Sequence, residues 1–592
     1  MDDPRKQGPQ QGPIDWSEFI KQAQQSGAGA DFNKIKSRFS HLKKRTIIIA
    51  AVVLVLVLAF AYWWFHPAIN IQSIDLWGFL IVILALVTFV LFVFRQIYQT
   101  GMGKREKSPK KAKLFSGLMA IPIAIAVIGA VGWLASQSFF PGNAEKYSTV
   151  LVTEDADFAT DIPEVNYSEI PFIDKDSAIL LGNRTMGTMA DYVSQFEISD
   201  LYSQINYKGQ PVRVSPLNYA DFFKWWANKD GGIPAYVIVN MSTQDTEIVR
   251  LENPIRYSDS DPFFYNVDRH VQLSYPFYMF DEKSFEINDD GEPFWIYPVQ
   301  KRTIGLFGGT TIQRVVLCNA STGECQDFAI EDVPQWVDRA YPAELLIEQY
   351  NWSGALSGGW INSWLGQNGV KQTTPSTDGK SGFNYIAQDD DVWVYSGVTS
   401  ATADNSIIGC VMINQRTAES KFYSVAGATE ESAMRSAEGQ VQHLQYDATF
   451  PLLINVDGQP TYFMALKDAA GLVKMYAMVD IQRYQNVAVG DTLAATEKSY
   501  KQLLVSQGIN VGGSDASAHP SAGSTSGTIA SISPVVLDGN SHYYLILDGQ
   551  QAIFDCPVAS VVDVVRYKVG DVIVLNHGSS EGNVVLVDSI GE

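Results

Sequence analysis

The chain of 592 residues has few of the residue types from which local active sites are built. It contains four cysteines and seven histidines, and it has no H-E-x-x-H, P-loop or C-x-x-C motif. Each of these motifs brings metal ligands, thiols or phosphate-binding groups together within one short segment. Their absence, with no two histidines after residue 140 at metal-ligand spacing, predicts no cofactor, no metal and no locally encoded catalytic residues.

Positive charge is also scarce, above all after residue 140. The formal net charge is −21. Residues 141–592 carry 27 basic and 57 acidic side chains, whereas residues 1–45 and 95–113 are basic. A surface that is this acidic repels phosphate backbones, so nucleic acid is excluded as a partner.

Three uncharged apolar stretches adjoin the basic segments. Residues 46–65, 76–94 and 114–136 are each long enough to cross a hydrocarbon core of about 30 Å as a helix. The positive-inside rule places residues 1–45 in the cytoplasm as a tail and residues 95–113 as a loop. The sequence therefore predicts a multi-pass plasma-membrane protein with three spans and most of its chain outside the cell. The partners predicted from this arrangement are the lipid bilayer and, through the helices, a second copy of the chain.

A repeated pattern follows these stretches. The nine-residue pattern V-x-x-N-x-x-T-x-[DE] begins at residues 237, 316 and 411, and a Gly-x-Pro triplet opens a β-rich run at residues 209, 291 and 458. Asn and Thr side chains stabilise turns by hydrogen bonding to nearby backbone, and Asn tolerates a left-handed conformation. The repeated polar residues are therefore interpreted as structural turn positions of hairpins. They are Asn240, Thr243, Asn319, Thr322, Asn414 and Thr417.

The spacing of the repeats, 79 and 95 residues, predicts small α+β modules rather than a thin solenoid. The predicted fold class is α+β, with three N-terminal transmembrane helices, repeated α/β hairpin modules outside and a small C-terminal β-barrel of OB or SH3-like type. The first module is assigned to residues 145–255, the second to 256–345, and the third and fourth to 346–510. A flexible Gly/Ser-rich linker is assigned to 511–527 and the barrel to 528–592.

The Gly-x-Pro strand followed by a hairpin with the turn N-x-x-T-G-E, as at Asn319 to Glu324, resembles the PepSY-like modules of bacterial cell-envelope proteins. The overall layout is similar to large membrane proteins of Gram-positive bacteria. The resemblance covers roughly residues 174–489. It implies non-catalytic modules that bind or inhibit extracytoplasmic partners such as peptidases.

Two further groups of side chains are candidates for a specific role. Cys318 and Cys325 flank a predicted hairpin turn, and they are candidates for a cross-strand disulfide. The predicted helical segment 332–369 is rich in tryptophan, and its tryptophans are interpreted either as core or as the lining of a carbohydrate or peptide groove. The tryptophans concerned are Trp336, Trp352, Trp360 and Trp364.

Three classes of function are compatible with the sequence. The first is a membrane-anchored, extracytoplasmic, non-enzymatic binding or scaffold protein of the cell envelope, with an envelope protein or polymer as partner. The second is an envelope hydrolase or peptidase with a non-local active site, for example Cys410 with His443. The third is an accessory subunit of a channel or transporter, which the absence of ionisable residues from the apolar stretches disfavours.

Overall fold

The computed structural model describes residues 44–101, 109–164, 170–375, 382–388, 390–401, 406–507, 509, 523–537, 540–550, 552–558, 561–577 and 584–591. The chain divides into two compact units, Met1–Leu493 and Ala494–Glu592. The fold mixes helices and strands, and antiparallel sheets dominate the first unit.

Three long helices come first: α1 (Lys44–Phe65), α2 (Ile74–Gly101) and α3 (Pro109–Ala135). A helix that crosses a membrane needs about 20 consecutive apolar residues to span roughly 30 Å of hydrocarbon. Over the residues that the structure describes, no helix combines that length with that composition. The prediction of three transmembrane helices is therefore wrong. The predicted fold class and the predicted location, a multi-pass membrane protein with an extracytoplasmic bulk, are wrong with it.

Sheet one is the first of four larger sheets in the first unit, whose strand pairs are all antiparallel except one in sheet three. Asp174 caps the helix before it, because its carboxylate accepts a hydrogen bond of 2.9 Å from the backbone N–H of Ser177. The elements before the sheet are α4 (Asn143–Ser148), β1 (Thr153–Ala156), α5 (Phe158–Asp161) and α6 (Lys175–Gly187). Those of the sheet are β2 (Phe196–Ile198), β3 (Ser203–Tyr207), β4 (Gln210–Tyr219), α7 (Phe222–Asn228), β5 (Ile233–Asn240) and β6 (Thr246–Ile255). The strand order is β2-β4-β5-β6, and β3 also pairs with β4.

Sheet two is attached to the end of α3. The hydroxyl of Ser136, the residue after α3, accepts hydrogen bonds from the backbone N–H groups of Leu306 at 2.8 Å and Phe307 at 2.9 Å. Both residues lie in the turn between the two long strands of the sheet. The elements are α8 (Val267–Ser274), β7 (Ser284–Ile287), β8 (Pro293–Ile304), β9 (Gly308–Asn319) and β10 (Cys325–Ala329). The strand order is β10-β9-β8-β7.

Sheet three includes β1, which pairs in parallel with a strand far along the chain, Thr153 opposite Ser420. Its elements are α9 (Ala343–Leu356), one π-helical turn (Asn362–Gly366), β11 (Lys371–Thr373), β12 (Asn384–Gln388), β13 (Asp391–Ser400), β15 (Gly409–Asn414) and β16 (Ser420–Tyr423). The order is β1-β16-β15-β13-β11, and β12 also pairs with β13. Strands β14 (Ser406–Ile407) and β17 (Gly427–Ala428) pair separately.

Sheet four completes the first unit. Its elements are α10 (Glu430–Gln440), β18 (Asp447–Ala448), β19 (Leu452–Val456), β20 (Gln459–Lys467), β21 (Val473–Asp480) and β22 (Val487–Gly490). The order is β18-β20-β21-β22, and β19 also pairs with β20. Sheets one, three and four thus have the same feature: two short strands pair with one long strand. These are β2 and β3 with β4, β11 and β12 with β13, and β18 and β19 with β20. In sheet two a single bridge, Phe280 to Val299, stands in place of one short strand.

The Gly-x-Pro triplets of sheets one and four lie at tight turns before the long strand. Lys208 and Gly209 have φ of +54° and +76°, and Asp457 and Gly458 have φ of +49° and +78°. Two consecutive left-handed residues are typical of a type I′ turn, whose twist matches that of a hairpin. Glycine is favoured in such a turn because it has no Cβ to clash.

Sheet three lies between two hydrophobic cores, and β13 contributes to both. Trp393 and Tyr395 point into the core shared with sheet four and α10, whereas Val394 and Val398 point into the core shared with sheet two and α9. Successive side chains of a strand alternate between its faces, so a strand covered on both sides is apolar throughout. Full burial of each such side chain stabilises the fold by about 1.5–3 kcal/mol.

The second unit contains a closed barrel of five strands, β23 (Gly523–Leu537), β24 (Asn540–Leu547), β25 (Ile553–Pro557), β26 (Val572–His577) and β27 (Val584–Gly591). They pair in the order β23-β24-β25-β27-β26. Leu545, Phe554 and Leu575 are buried in its core. Helix α11 (Leu493–Ser506) precedes it, and residues 511–522 of the predicted linker lie outside the described residues.

Candidate functional site

The repeated Asn residues occupy the same hairpin turn in three sheets. In each turn the side-chain oxygen of the Asn accepts hydrogen bonds from the backbone N–H groups two and three residues later. The distances are 2.8 and 2.9 Å at Asn240, 3.0 and 2.9 Å at Asn319, and 2.8 and 3.0 Å at Asn414. Each turn therefore depends on one side-chain acceptor.

The repeated Thr residues support the same turns. Each Thr hydroxyl accepts a hydrogen bond from the N–H of the acidic residue two positions later, at 3.3 Å for Thr243, 3.2 Å for Thr322 and 3.2 Å for Thr417. In each turn the residue directly after the Thr, and not the Asn, has a left-handed backbone conformation. It has a φ of +68° at Gln244, +76° at Gly323 and +60° at Ala418.

A fourth turn of this kind lies in sheet four. The carboxylate of Asp480 accepts hydrogen bonds from the N–H groups of Gln482 at 2.8 Å and Arg483 at 3.0 Å. It lacks the repeated pattern, because Ala477, Asp480, Arg483 and Gln485 replace the Val, the Asn, the Thr and the acidic residue. The one feature that this turn shares with the repeated pattern is a side-chain oxygen acceptor at the Asn position.

The residue after the acceptor joins each turn to a neighbouring segment through its backbone carbonyl. These carbonyls accept hydrogen bonds from N–H groups outside their own hairpin. The pairs are Met241 with Phe172 at 3.1 Å, Ala320 with Tyr257 at 2.9 Å, Gln415 with Tyr341 at 2.7 Å and Ile481 with Ala428 at 2.8 Å. The turns thus hold sequence-distant segments as well as their own hairpins.

We expect Asn240→Ala, Asn319→Ala and Asn414→Ala each to lower the free energy of unfolding by on the order of 1 kcal/mol, because two N–H groups lose their acceptor. The effects are expected to be nearly additive, since the turns share no partner. Asn240→Asp is the matched control, because it keeps the acceptor as Asp480 does. Thermal unfolding of the variants measures the effect, and unchanged melting in all three alanine variants would contradict it.

The four tryptophans do not share one groove. Trp336 and Trp352 are partly buried against core residues, with ring centroids 5.0 Å from Phe294 and 4.9 Å from Tyr147, respectively. Trp360 and Trp364 are exposed and stack on each other, with centroids 6.3 Å apart. The structure therefore places two of them in packing and two on the surface.

Cys410 and His443 lack the features of a nucleophile and its base. Cys410 is 1% exposed within the core between sheets three and four, and burial raises the pKa of its thiol. His443 is exposed. A buried thiol held in its protonated form is a poor nucleophile.

Cys318 and Cys325 lie directly opposite each other on β9 and β10, and both are free thiols. His270 on α8 is close to them. The hydrogen bond from Cys318 lowers the pKa of Cys325 to about 6, and His270 acts in the same direction. The hydrogen bond with Cys325 raises the pKa of His270.

A cavity of about 170 Å³ lies in the first unit, between the segment before α6, β4, β12 and the strands of sheet four. Since a water molecule occupies about 30 Å³ of liquid, this space matches about five waters or one small organic molecule. Its apolar lining includes Phe172, Phe383, Phe450, Leu452, Phe463 and Met464. The polar lining comes from Asp174, Arg213, Asn384, Tyr385 and Thr449.

Arg213 is the exceptional residue of this cavity. Only 6% of it is exposed. Its Nε donates to the carbonyl of Ile173 at 3.4 Å and its Nη2 to the side-chain oxygen of Gln204 at 3.3 Å, both long for hydrogen bonds. Within the described part of the chain, no ion pair includes Arg213, because Asp174 pairs with Lys467 instead.

Electrostatics in the cavity favours an anion. Burial lowers the pKa of Arg213, and neighbouring Arg339 adds to this effect, while Tyr385 and Asp174 oppose it. Burial disfavours ionised Asp174, but the hydrogen bonds from Lys467 and Ser177 and the charge of Lys467 together outweigh it, so the pKa of Asp174 is lowered. A guanidinium keeps its proton in proteins, so the cavity contains a permanent positive charge. Among the described residues this charge forms no ion pair, although Asp174 lines the same cavity.

A second, larger cleft of about 640 Å³ lies between residues 65–75 and sheet two. Three of the charged side chains that line it, those of Lys283, Asp259 and Asp268, are already paired. Lys283 lies 2.8 Å from Asp259 and 2.7 Å from Asp268, and the Tyr297 hydroxyl donates to Asp268 at 2.6 Å. A ligand would have to displace these contacts, so this cleft is the weaker candidate.

Two buried carboxylates connect β7 to the segment before α9. Glu286 is fully buried and accepts hydrogen bonds from the N–H groups of Asp338 at 2.9 Å and Arg339 at 3.2 Å. Asp338 is 1% exposed and accepts from the N–H of Asn206 at 2.7 Å. Burial raises the pKa of both carboxyl groups, and the charge of Glu286 raises that of Asp338 further.

No protein-family model and no curated protein matches the chain. A mutant of the apocarotenoid oxygenase of Synechocystis is 9% identical to it, with 68% of this chain and 66% of that chain covered and a TM-score of 0.14. The cobalt-substituted oxygenase is 7% identical, with 48% and 47% covered and a TM-score of 0.11. The chain spans just under two thirds of the first structure and about half of the second. These similarities carry no argument about fold or function.

Proposed function

We propose that the protein is a non-enzymatic binding protein whose ligand is a small organic anion held in the cavity at Arg213. One observation carries the proposal: the buried guanidinium of Arg213, which forms no ion pair among the described residues, lines a cavity that also has several apolar side chains in its lining. Burying a charge without a counterion costs several kcal/mol. A ligand that supplies the missing negative charge recovers much of this cost.

The lining restricts the class of ligand. A carboxylate matches the planar fork of Arg213, which can donate two parallel hydrogen bonds. The rings of Phe383, Phe450 and Phe463 require an apolar body behind that carboxylate. A volume of about 170 Å³ admits a ligand the size of a substituted benzene ring. A small monocarboxylate with an aromatic or branched body satisfies all three conditions.

The hydrolase hypothesis has less support. The buried thiol of Cys410 cannot be reached by a substrate. The pentapeptide GSSEG at 578–582 matches the G-x-S-x-G pattern of hydrolases, but it lies outside the described residues, between β26 and β27. That motif acts at a turn from a strand into a helix. Binding by the modules of a protein or polymer partner stays a prediction.

Calorimetric titration of the full chain with benzoate tests the proposal, with neutral benzamide as the matched ligand. We expect benzoate to bind with a dissociation constant on the order of 0.1–1 mM, as is usual for a ligand of this size. Arg213→Met should weaken binding about 10- to 100-fold, because a charge-assisted hydrogen bond is lost. Benzamide should bind far more weakly than benzoate.

Arg250→Met is the control variant, because it removes one positive charge from β6, away from the cavity lining. It should leave benzoate binding unchanged. Arg213→Met is expected to fold, since an apolar side chain in place of a buried unpaired charge is often neutral or stabilising. Equal binding of benzoate by the wild type and Arg213→Met, or no binding by either, would contradict the proposal.

A further inference from the structure

The side chains of His270, Cys318 and Cys325 form a cluster that is independent of the Arg213 cavity. One ring nitrogen and the two sulfur atoms all lie within 4.8 Å of one another. Cys318 is fully buried, and the other two residues are partly buried. The cluster joins three elements, since His270 is on α8, Cys318 on β9 and Cys325 on β10.

The fold fixes the position of each member. Cys318 and Cys325 are opposite each other in an antiparallel pair, so their side chains leave the same face of the sheet. The Nε2 of His270 lies 2.8 Å from the carbonyl oxygen of Gly323, which can only accept, so Nε2 carries a proton. In the neutral ring Nδ1 then keeps its lone pair. Histidine ligands of metals are commonly oriented by a hydrogen bond of this kind.

Packing around the histidine restricts its movement. The ring of Tyr257 lies with its centroid 4.3 Å from that of His270. Helix α8 begins at a cap in which the side chain of Asn266 accepts from the N–H of Arg269 at 3.1 Å. The imidazole is therefore held against the hairpin before any ligand arrives.

We propose that His270, Cys318 and Cys325 bind one Zn²⁺ ion. Zinc takes Cys sulfur at about 2.3 Å and His nitrogen at about 2.0–2.1 Å in tetrahedral geometry. That geometry places ligand atoms roughly 3.3–3.8 Å apart, so shifts of about 1 Å close the site around the ion. Two sulfur ligands and one imidazole favour Zn²⁺ over the hard cations Mg²⁺ and Ca²⁺.

Binding involves no change of oxidation state. Any proton still on the two sulfur atoms is released to solvent, two Zn–S bonds and one Zn–N bond form, and a water molecule takes the fourth position. Among the described residues, the cluster contains no fourth His, Cys, Asp or Glu. Three protein ligands plus water is the arrangement that leaves a zinc ion open to an exogenous ligand.

The sequence-based alternative for these cysteines, a cross-strand disulfide, excludes the metal site. Its formation would consume both sulfur ligands and remove two electrons and two protons. The state of the thiols therefore decides between the two arrangements, and the experiment has to be done in the presence of a reductant.

Titration of the reduced, chelator-treated full chain with Co²⁺ tests the proposal. Cobalt replaces zinc in such sites, and thiolate ligands give it an intense near-ultraviolet charge-transfer band. We expect this band to saturate at one Co²⁺ per chain and to disappear when Zn²⁺ is added. Cys318→Ala and Cys325→Ala should each lose the band, and His270→Ala should weaken Co²⁺ binding at least about 10-fold.

Cys556→Ala is the control variant, because it removes a buried thiol from the second unit and leaves the cluster intact. Its Co²⁺ titration should match that of the wild type. A separate readout guards against misfolding: Zn²⁺ should raise the melting temperature of the wild type and of Cys556→Ala but not that of Cys325→Ala. No thiolate band in the reduced wild type, or an unchanged band in Cys318→Ala and Cys325→Ala, would overturn the proposal.

Discussion

Gly323→Ala is expected to lower the free energy of unfolding of the first unit by on the order of 3 kcal/mol. Gly323 is the left-handed residue of the turn at Asn319, with a φ of +76°. A Cβ atom there would overlap the ring of Tyr257. That ring also contacts His270 and Tyr265, at centroid distances of 4.3 and 5.3 Å, so its displacement would disturb both contacts.

The matched control for this variant is Gly209→Ala. Gly209 has the same φ, +76°, but a Cβ there would meet nothing within 4 Å. Its substitution should therefore cost only the left-handed strain, about 1–2 kcal/mol. Chemical denaturation measures the free energy of unfolding of both variants. The difference between their losses is the cost of the overlap with Tyr257, because the backbone strain is the same in both. Equal losses in the two variants would show that the contact with Tyr257 is unimportant.

Asp338→Asn is expected to stabilise the protein at neutral pH by on the order of 1–3 kcal/mol, because burial beside Glu286 makes ionisation of Asp338 costly in the folded state and an amide carries no charge. Burial and the neighbouring Glu286 raise the pKa of Asp338 well above 3.8. Between the usual pKa of 3.8 and the raised pKa of the folded state, Asp338 keeps a proton in the folded state that it has released in the unfolded state. The stability of the wild type should therefore fall as pH rises above about 4.

The measurement is the free energy of unfolding as a function of pH. Asp338→Asn should show a smaller decrease between pH 4 and pH 8 than the wild type. Some decrease should remain, since burial also raises the pKa of Glu286. Asp289→Asn, which removes an exposed carboxylate, is the control and should follow the wild type. A wild type whose stability rises over this range would contradict the assignment.

The repeated turns could be predicted from the sequence because their chemistry is local. An Asn that accepts from N–H groups two and three residues later leaves a pattern within one short segment, as at Asn240 and Asn414. The pattern is absent at Asp480, where an Asp rather than an Asn accepts the same hydrogen bonds. A sequence pattern therefore identifies such a turn only where the same residue type supplies the hydrogen-bond acceptor.

The Arg213 cavity could not be predicted, because its lining comes from segments far apart in the chain. Phe172, Arg213, Tyr385 and Phe463 lie in four different parts of the first unit. Nothing near Arg213 in the sequence shows that it lacks a carboxylate partner. That fact depends on Asp174 pairing with Lys467, 293 residues later.

The cysteine pair was only partly predictable. The spacing of Cys318 and Cys325 around a hairpin turn places them opposite each other, which the register of β9 and β10 shows. His270 lies on a helix that precedes the hairpin, so no spacing rule connects it to the thiols. The sequence predicts no metal site because its candidate ligands are not close together along the chain.

Sheet three cannot be completed until long after its first strand, β1, has been synthesised. Its pairing partner β16 lies 267 residues further along the chain, Thr153 opposite Ser420. Ribosomes add about 5–20 residues per second, so β1 is complete roughly 13–50 s before its partner exists. Throughout that interval the N–H and C=O groups of β1 have no strand to pair with in this sheet. The time that β1 spends unpaired thus depends on the rate of synthesis, and its backbone groups need protection until β16 is complete.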